Sequence, residues 1–345
     1  MSTPATQVRL ARRPEGEPDD STYSVTHDEV PDPGPGQLLL RVVYLSLDPY
    51  MRGRMSAAKS YAAPVEVGDV LVGGTVCEVV ASRHDDFSPG DFVLSYSGWQ
   101  SHALSDGSGL RTLDPSVVPL STALGVLGMP GFTAYAGLLE IGRPVEGETV
   151  VVAAATGPVG SAVGQIAKLK GARAVGIAGG PDKCAALLDE LGFDAAVDHR
   201  SETFVEDLAA ATPDGIDVYF ENVGGRVSEA VFRRLNLYAR VPVCGMVAEY
   251  NATADPEGRD RLPGFMRRVL TLSLTVRGFI QSEFTRSHGR DFVRDMSAWV
   301  ADGSVRYRED VVEGLENAPE AFRGLLAGRN FGKLLVRVGE DPTLG

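Results

Sequence analysis

Three cysteines in 345 residues, Cys77, Cys184 and Cys244, are too few and too far apart for a disulfide framework, and no Cys-x-x-Cys pair offers a thiolate cage. The five histidines, His27, His84, His102, His199 and His288, are equally scattered, so no protein-bound metal is expected. Positive charge is short as well. Against 46 Asp and Glu stand 33 Lys and Arg, a formal net charge of −13 that argues against nucleic acid or an anionic membrane as the main partner. A local basic pocket for a phosphate stays compatible with it. No apolar run approaches the roughly 18–20 residues of a membrane span, and MSTPATQVRLARRPEG lacks the apolar core of a signal peptide. These absences lead to the expectation of a soluble, cytoplasmic protein.

What is present is ordinary core-forming material, 43% hydrophobic and 23% charged, in a length suited to two domains at about 150 residues each. The texture changes near residue 120. Before it, short apolar runs such as QLLLRVVYLSL, VGDVLVGGTVCEVVAS and GDFVLSY are bounded by Gly and Pro, which predicts β-strands of a small barrel or sandwich. After it, TVVVAAA (149–155), RAVGIA (173–178), AAVDH, IDVYFEN and ARVPVCG alternate with helical patterns of about 10 residues, the first predicted from Ser161 to Lys170. Such alternation means βαβ units and a doubly wound parallel sheet. Near the end, FGKLLVRVG (331–339) reads as a strand of the earlier kind.

The segment AAATGPVGSAVGQIAKLKG (153–171) places a glycine turn between a buried strand and a helix start, the arrangement that cradles a dinucleotide pyrophosphate. Gly157 and Gly160 hold the second and third glycine positions of the fingerprint; Ala155 replaces the first. At the end of the next strand an NAD site usually carries Asp or Glu, but the chain reads GIAGGPDKC. Gly179 and Gly180 leave room there, Lys183 supplies an ammonium, and His199 and Arg200 end the third strand, a set that favours the 2′-phosphate of NADPH. Asp182 is read as a helix N-cap. Three tyrosines are candidates for the reacting end: Tyr50 at a strand exit after Asp-Pro, Tyr61 in an irregular stretch, and Tyr250 after CGMVAE at the exit of a late strand.

Six segments, LSLDPYMRGRM (45–55), VLGMPGFTAY (126–135), AAATGPVGSAVGQIAKLKG, ENVGG (221–225), GLENAPEAF (314–322) and GRNFGK (328–333), together resemble the zinc-independent medium-chain dehydrogenase/reductases. Within that family they are most similar to the prostaglandin/leukotriene reductase and alkenal double-bond reductase branch. The resemblance implies a GroES-like catalytic domain over 1–125 that resumes over 301–345, an inserted Rossmann domain over 126–300, and a homodimer. It implies that Thr156, Gly157, Pro158, Val159 and Gly160 hold the pyrophosphate, with Gly180, Lys183, His199 and Arg200 around the adenosine phosphate. Asn222, Cys244, Gly245, Tyr250, Phe279, Ile280, Gln281 and Asn330 would line the rest of the cofactor. Two departures stand out: His199 and Thr271 occupy places where many eukaryotic members carry tyrosine.

The reaction implied is hydride transfer from NADPH to the β-carbon of a small-molecule enone, with Tyr250, Tyr50 and Tyr61 as catalytic-pocket residues. Diarylenones, alkenals and prostaglandin-like enones are the expected substrate classes. A zinc-free quinone oxidoreductase, or a non-catalytic NADPH-binding sensor or structural protein, are the alternative readings.

Overall fold

The computed structural model describes residues 2–254 and 260–344. The chain forms two compact units, one of Met1–Gly125 with Glu309–Gly345 and one of Val126–Arg308.

In the second unit the strands run parallel in the spatial order Ala195–Asp198, Arg173–Ala178, Thr149–Ala153, Ile216–Phe220, Leu235–Val243 and Thr275–Gly278. The valine run after Thr149 explains its central place. Val150 and Val152 pack with Val163, Ile166, Val218 and Phe220 on one face, while Val151 and Ala153 pack with Val175, Ile177, Phe204 and Leu208 on the other. A strand buried on both faces reads as a continuous apolar run, and each such valine contributes about 1.5–3 kcal/mol relative to exposure. Helix Pro158–Leu169 covers the first face. Gly164 lets it approach, because a Cβ there would lie 2.6 Å from Cε2 of Phe193.

Three local expectations are corrected. The first helix starts at Pro158, not Ser161, since proline's fixed φ suits the first helical position and its missing N–H would be unpaired there anyway. Helix Pro181–Asp189 uses the same device: Gly180 is its N-cap, no side chain caps it, and Asp182 lies inside its first turn. The third strand ends at Asp198, so His199 and Arg200 follow it rather than end it.

The first unit is built around strand Leu38–Ser46, which pairs antiparallel with Thr75–Ser82, His102–Ser105 and Lys333–Arg337. Strand Glu309–Glu313 lies parallel to Lys333–Arg337, and Phe92–Ser95 and Arg111–Leu113 extend the other side. Ser2–Leu10 and Tyr23–Pro31 form a separate hairpin. Trp99, fully buried, anchors the core between Tyr23 and Phe322. The architecture is α/β: a doubly wound Rossmann sheet whose chain interrupts a mainly antiparallel, GroES-like unit. Among the described residues no helix is long and apolar enough to cross a membrane.

Candidate active site

In the parallel sheet the strand order reverses between Thr149–Ala153 and Ile216–Phe220, and ligands of doubly wound sheets bind beyond the carboxyl ends of the strands at this switch point. Ala154 leaves its strand with φ 51°, and the Gly157 N–H donates to Ala154 O at 3.0 Å, which closes the turn. Gly157 is the N-cap, no side-chain cap follows it, and Pro158 has no N–H. The next amides, of Val159 and Gly160, open the helix in the way that suits an anion. A Cβ on Gly160 would lie 2.7 Å from the Ala155 Cα, so only glycine permits this approach of helix to strand. Thr156 is buried; Gly157, Pro158 and Val159 are half-buried. On the neighbouring strand end, the Asn222 Nδ2 donates to Ala153 O at 2.8 Å, linking the two sides of the switch point.

At the end of Arg173–Ala178, Gly180 has φ 100°, and a Cβ on Gly179 would come 2.9 Å from both the Arg200 Nε and the His199 Nε2. The glycine pair lets those two basic side chains close over the strand end. Asp198 Oδ1 accepts from the Gly180 and Arg200 N–H groups, both at 2.9 Å. Burial works against its charge, but those two amides and the His199 and Arg200 side chains hold it below the usual carboxylate range. His199 is pushed below its ordinary value, first by burial and then by the charge of Arg200, with Lys183 and Arg226 adding to it and Asp198 opposing. Four potentially cationic groups thus converge on one loop cluster. Arg226 escaped the sequence reading; it follows ENVGG, and only the fold of the sheet brings it near His199. Its guanidinium sits 5.6 Å from the centre of the Phe204 ring.

Beyond Leu235–Val243, the segment from Cys244 to Tyr250 is bound to ENVGG by the Cys244 and Gly245 N–H groups, which donate to Glu221 O at 2.9 and 3.2 Å. Tyr250 is half-buried, and its hydroxyl lies where a Cβ on Gly245 would be 3.0 Å away. Burial pushes the Cys244 thiol up to about 12, with the neighbouring Glu221 adding to the shift, so it is not a nucleophile near neutral pH. The Phe279 ring faces the core against Phe220 and Phe284, with centroids 6.1 and 6.0 Å away. Its side chain is therefore core, while Ile280 and Gln281 are half-buried.

The first unit carries Tyr50, Tyr61 and Asn330, in a different unit from the glycine turn and Tyr250. Tyr50 precedes the short helix Met51–Arg54, and the Arg54 guanidinium lies 5.7 Å from its ring centre and 4.7 Å from that of Tyr61. Tyr61 is 59% exposed. Burial, with the Asp48 charge second, raises the Tyr50 phenol above its usual value and keeps its O–H a donor. Below it lies a set the sequence did not reveal. Lys333, at 3% side-chain exposure, donates to Leu47 O at 2.8 Å, Leu334 O at 2.9 Å and Asp48 Oδ1 at 3.1 Å. The Ser46 hydroxyl donates to the other Asp48 oxygen. Asn330 Nδ2 donates to Gly332 O at 2.8 Å.

Residues 6–113 match the family described as the N-terminal domain of oxidoreductase, and residues 158–298 the family described as zinc-binding dehydrogenase. The chain is 55% identical over 332 residues to an NADPH-dependent curcumin reductase of Escherichia coli K12, covering 96% of each. It is 42% identical over 333 residues to prostaglandin reductase 1 of Rattus norvegicus, covering 95% of this chain and 97% of that one. Among solved structures it superposes on CurA of Vibrio vulnificus in complex with NADPH with a TM-score of 0.94, at 52% identity, over 97% of this chain and all of that one. The zinc in the second family description does not fit the donors present. No group of three or more His, Cys, Asp or Glu among the described residues could hold a metal ion, and the three cysteines are dispersed.

Proposed function

Because the chain belongs to the zinc-independent medium-chain dehydrogenase/reductases, in the branch of the prostaglandin and curcumin reductases, we propose that it is an NADPH-dependent double-bond reductase acting on α,β-unsaturated ketones and aldehydes. The observation that carries the reading is the end of the second Rossmann strand: Lys183, His199, Arg200 and Arg226 gather where an NAD site would place a carboxylate. A relative named for NADPH dependence matches 96% of the chain.

When bound, NADPH supplies a hydride to the β-carbon of the enone. The amides of Val159 and Gly160 would hold the pyrophosphate, and Lys183, Arg200, Arg226 and, once protonated, His199 would hold the 2′-phosphate. In the second unit Asn222, Gly245, Ile280 and Gln281 would line the remaining cofactor surface. The Tyr250 hydroxyl donates to the carbonyl oxygen on which negative charge grows, an interaction worth about 3–4 kcal/mol in comparable oxyanion sites. Tyr50, whose phenol stays protonated, and Tyr61 are the candidate substrate residues of the first unit. Solvent or a relay returns a proton to the α-carbon. Diarylenones, 2-alkenals and prostaglandin-like enones are the substrate classes proposed.

The working protein is proposed to be a cytoplasmic homodimer joined through the outer sheet edge. Among the described residues, strand Thr275–Gly278 has a partner on one side only, and every residue of it is exposed. Around it, Leu237, Tyr238, Met266, Leu270 and Val276 present apolar surface to solvent, which an isolated edge rarely does. Light scattering on the purified protein checks this, with a dimer mass as the expected result.

The function is tested by following NADPH and NADH oxidation in parallel with a diarylenone, a 2-alkenal, a quinone and a saturated ketone. Consumption of NADPH alone, with both enones and not the saturated ketone, is expected. Faster turnover of the quinone, or NADPH binding without any turnover, would replace the reading with one of its rivals.

A further inference from the structure

We propose that Glu221 is a positioning residue of the cofactor site, holding Asn222 and the Tyr250 segment in register with the glycine turn; this rests on the function proposed above. Glu221 directly follows strand Ile216–Phe220 at the switch point and is 3% exposed. Four uncharged donors converge on its two carboxyl oxygens. Oε1 accepts from the Tyr219 hydroxyl at 3.0 Å, the Val223 N–H at 2.7 Å and the Gly224 N–H at 3.0 Å, and Oε2 accepts from the Ser228 hydroxyl. The side chain therefore dictates the turn that follows it. Gly224 and Gly225 adopt φ of 83° and 55°, which the turn requires and side-chain-bearing residues resist.

The backbone of the same short stretch fixes the next segment. The Glu221 N–H donates to Pro242 O at 3.0 Å, and Glu221 O accepts from Cys244 and Gly245. Asn222 O accepts from the Val247 N–H at 3.2 Å, and Val223 O from the Ala248 N–H at 2.9 Å. Tyr250 follows two residues later with its hydroxyl packed over Gly245. In the other direction the Asn222 amide reaches Ala153 O, the last residue of the strand before the glycine turn. One carboxyl group thus organises a turn that ties the pyrophosphate cradle to the residue proposed to polarise the substrate. Buried polar groups satisfied this fully fix geometry, and about 1 Å of misplacement can cost roughly 100-fold in rate.

The test compares Glu221→Ala with Glu221→Gln in the full-length protein. Glutamine keeps an oxygen for the Tyr219, Val223 and Gly224 donors and turns its Nε2 toward a Ser228 hydroxyl that can accept. Three readouts are taken: binding of NADPH, binding of 2′,5′-ADP, and the single-turnover rate of NADPH oxidation by an enone. For Glu221→Ala the expected result is a loss of about 100-fold in the single-turnover rate with weaker NADPH binding, while 2′,5′-ADP, which carries only the adenosine end and keeps Lys183, His199 and Arg200 even where Arg226 shifts with the turn, loses clearly less affinity than NADPH. Glu221→Gln should recover most of the rate. If Glu221→Ala does not fold, Glu221→Asp, whose shorter arm withdraws the oxygens from the Val223 and Gly224 amides, takes its place with the same pattern expected. Parallel losses of 2′,5′-ADP and NADPH binding, or an unchanged rate, would overturn the proposal. An inactive wild-type protein would instead remove the enone reading and leave the two binding readouts to decide.

Discussion

Asp48 and Glu221 are buried to a similar degree, 6% and 3% exposed, yet the two units satisfy them by different chemistry. Asp48 faces the ammonium of Lys333, which lies 285 residues away in sequence, with the Ser46 hydroxyl as a second donor. Glu221 takes its donors from within seven residues and from uncharged groups. The first arrangement joins distant strands through a buried charge pair, so removing one partner strands the other in a medium that cannot solvate it. The second uses the carboxyl group as a local template, so its loss loosens a turn while the sheet below stays intact. The GroES-like unit is sensitive to charge balance. The Rossmann site is sensitive to shape.

The largest effect should come from breaking the pair. Lys333→Met leaves Asp48 buried and uncompensated and is expected to cost about 3–5 kcal/mol, read from the urea unfolding midpoint. Adding Asp48→Asn should restore much of that loss; a double variant as unstable as the single would show that packing, not charge, governs this site. In the other unit Tyr250→Phe removes one donor and keeps the ring beside Gly245. It should lower kcat by about 100- to 1000-fold with little change in stability, and a rate within about twofold of wild type would end its proposed role.

Gly160→Ala probes shape alone. Its methyl would meet fixed backbone, so a loss of about 1–3 kcal/mol is expected, together with weaker NADPH binding in a fluorescence titration. The smallest effect concerns pH. In the free protein, burial and the Arg200 charge keep the His199 ring below its ordinary value, so it is neutral at pH 7. A bound phosphate dianion favours the protonated ring and raises its value, so binding takes up a proton and affinity for NADPH rises as pH falls through the bound-state value of the ring towards its lower free-state value. His199→Asn should flatten that rise by a few-fold, and NADH, which lacks the phosphate, should show no such difference between the two proteins.

The same division explains what the sequence made legible. The valine run from 149, the glycine turn after it and the cations near 183 and 199 are local patterns with a physical reason for each residue, and they could be read directly. Helix starts were missed by a few residues because Pro158 and Pro181 act as first helical residues rather than as breakers. Phe279 lies beside genuine loop residues, and no local feature distinguishes a core-facing ring from a pocket-facing one. Lys333 and Arg226 could not be found, because their partners are set by strand order and not by spacing. The role of Glu221 was hidden differently: ENVGG drew attention to its asparagine and glycines, while the residue that shapes the turn looks, in sequence, like any acidic residue at a strand end.

The most direct test of the account is to reduce an enone with NADPH carrying deuterium at the transferable C4 position, then locate the label in the product by NMR. The expected product is the saturated ketone with deuterium on the former β-carbon alone. Deuterium on a carbinol carbon, or a product without the label, would contradict hydride transfer to the double bond.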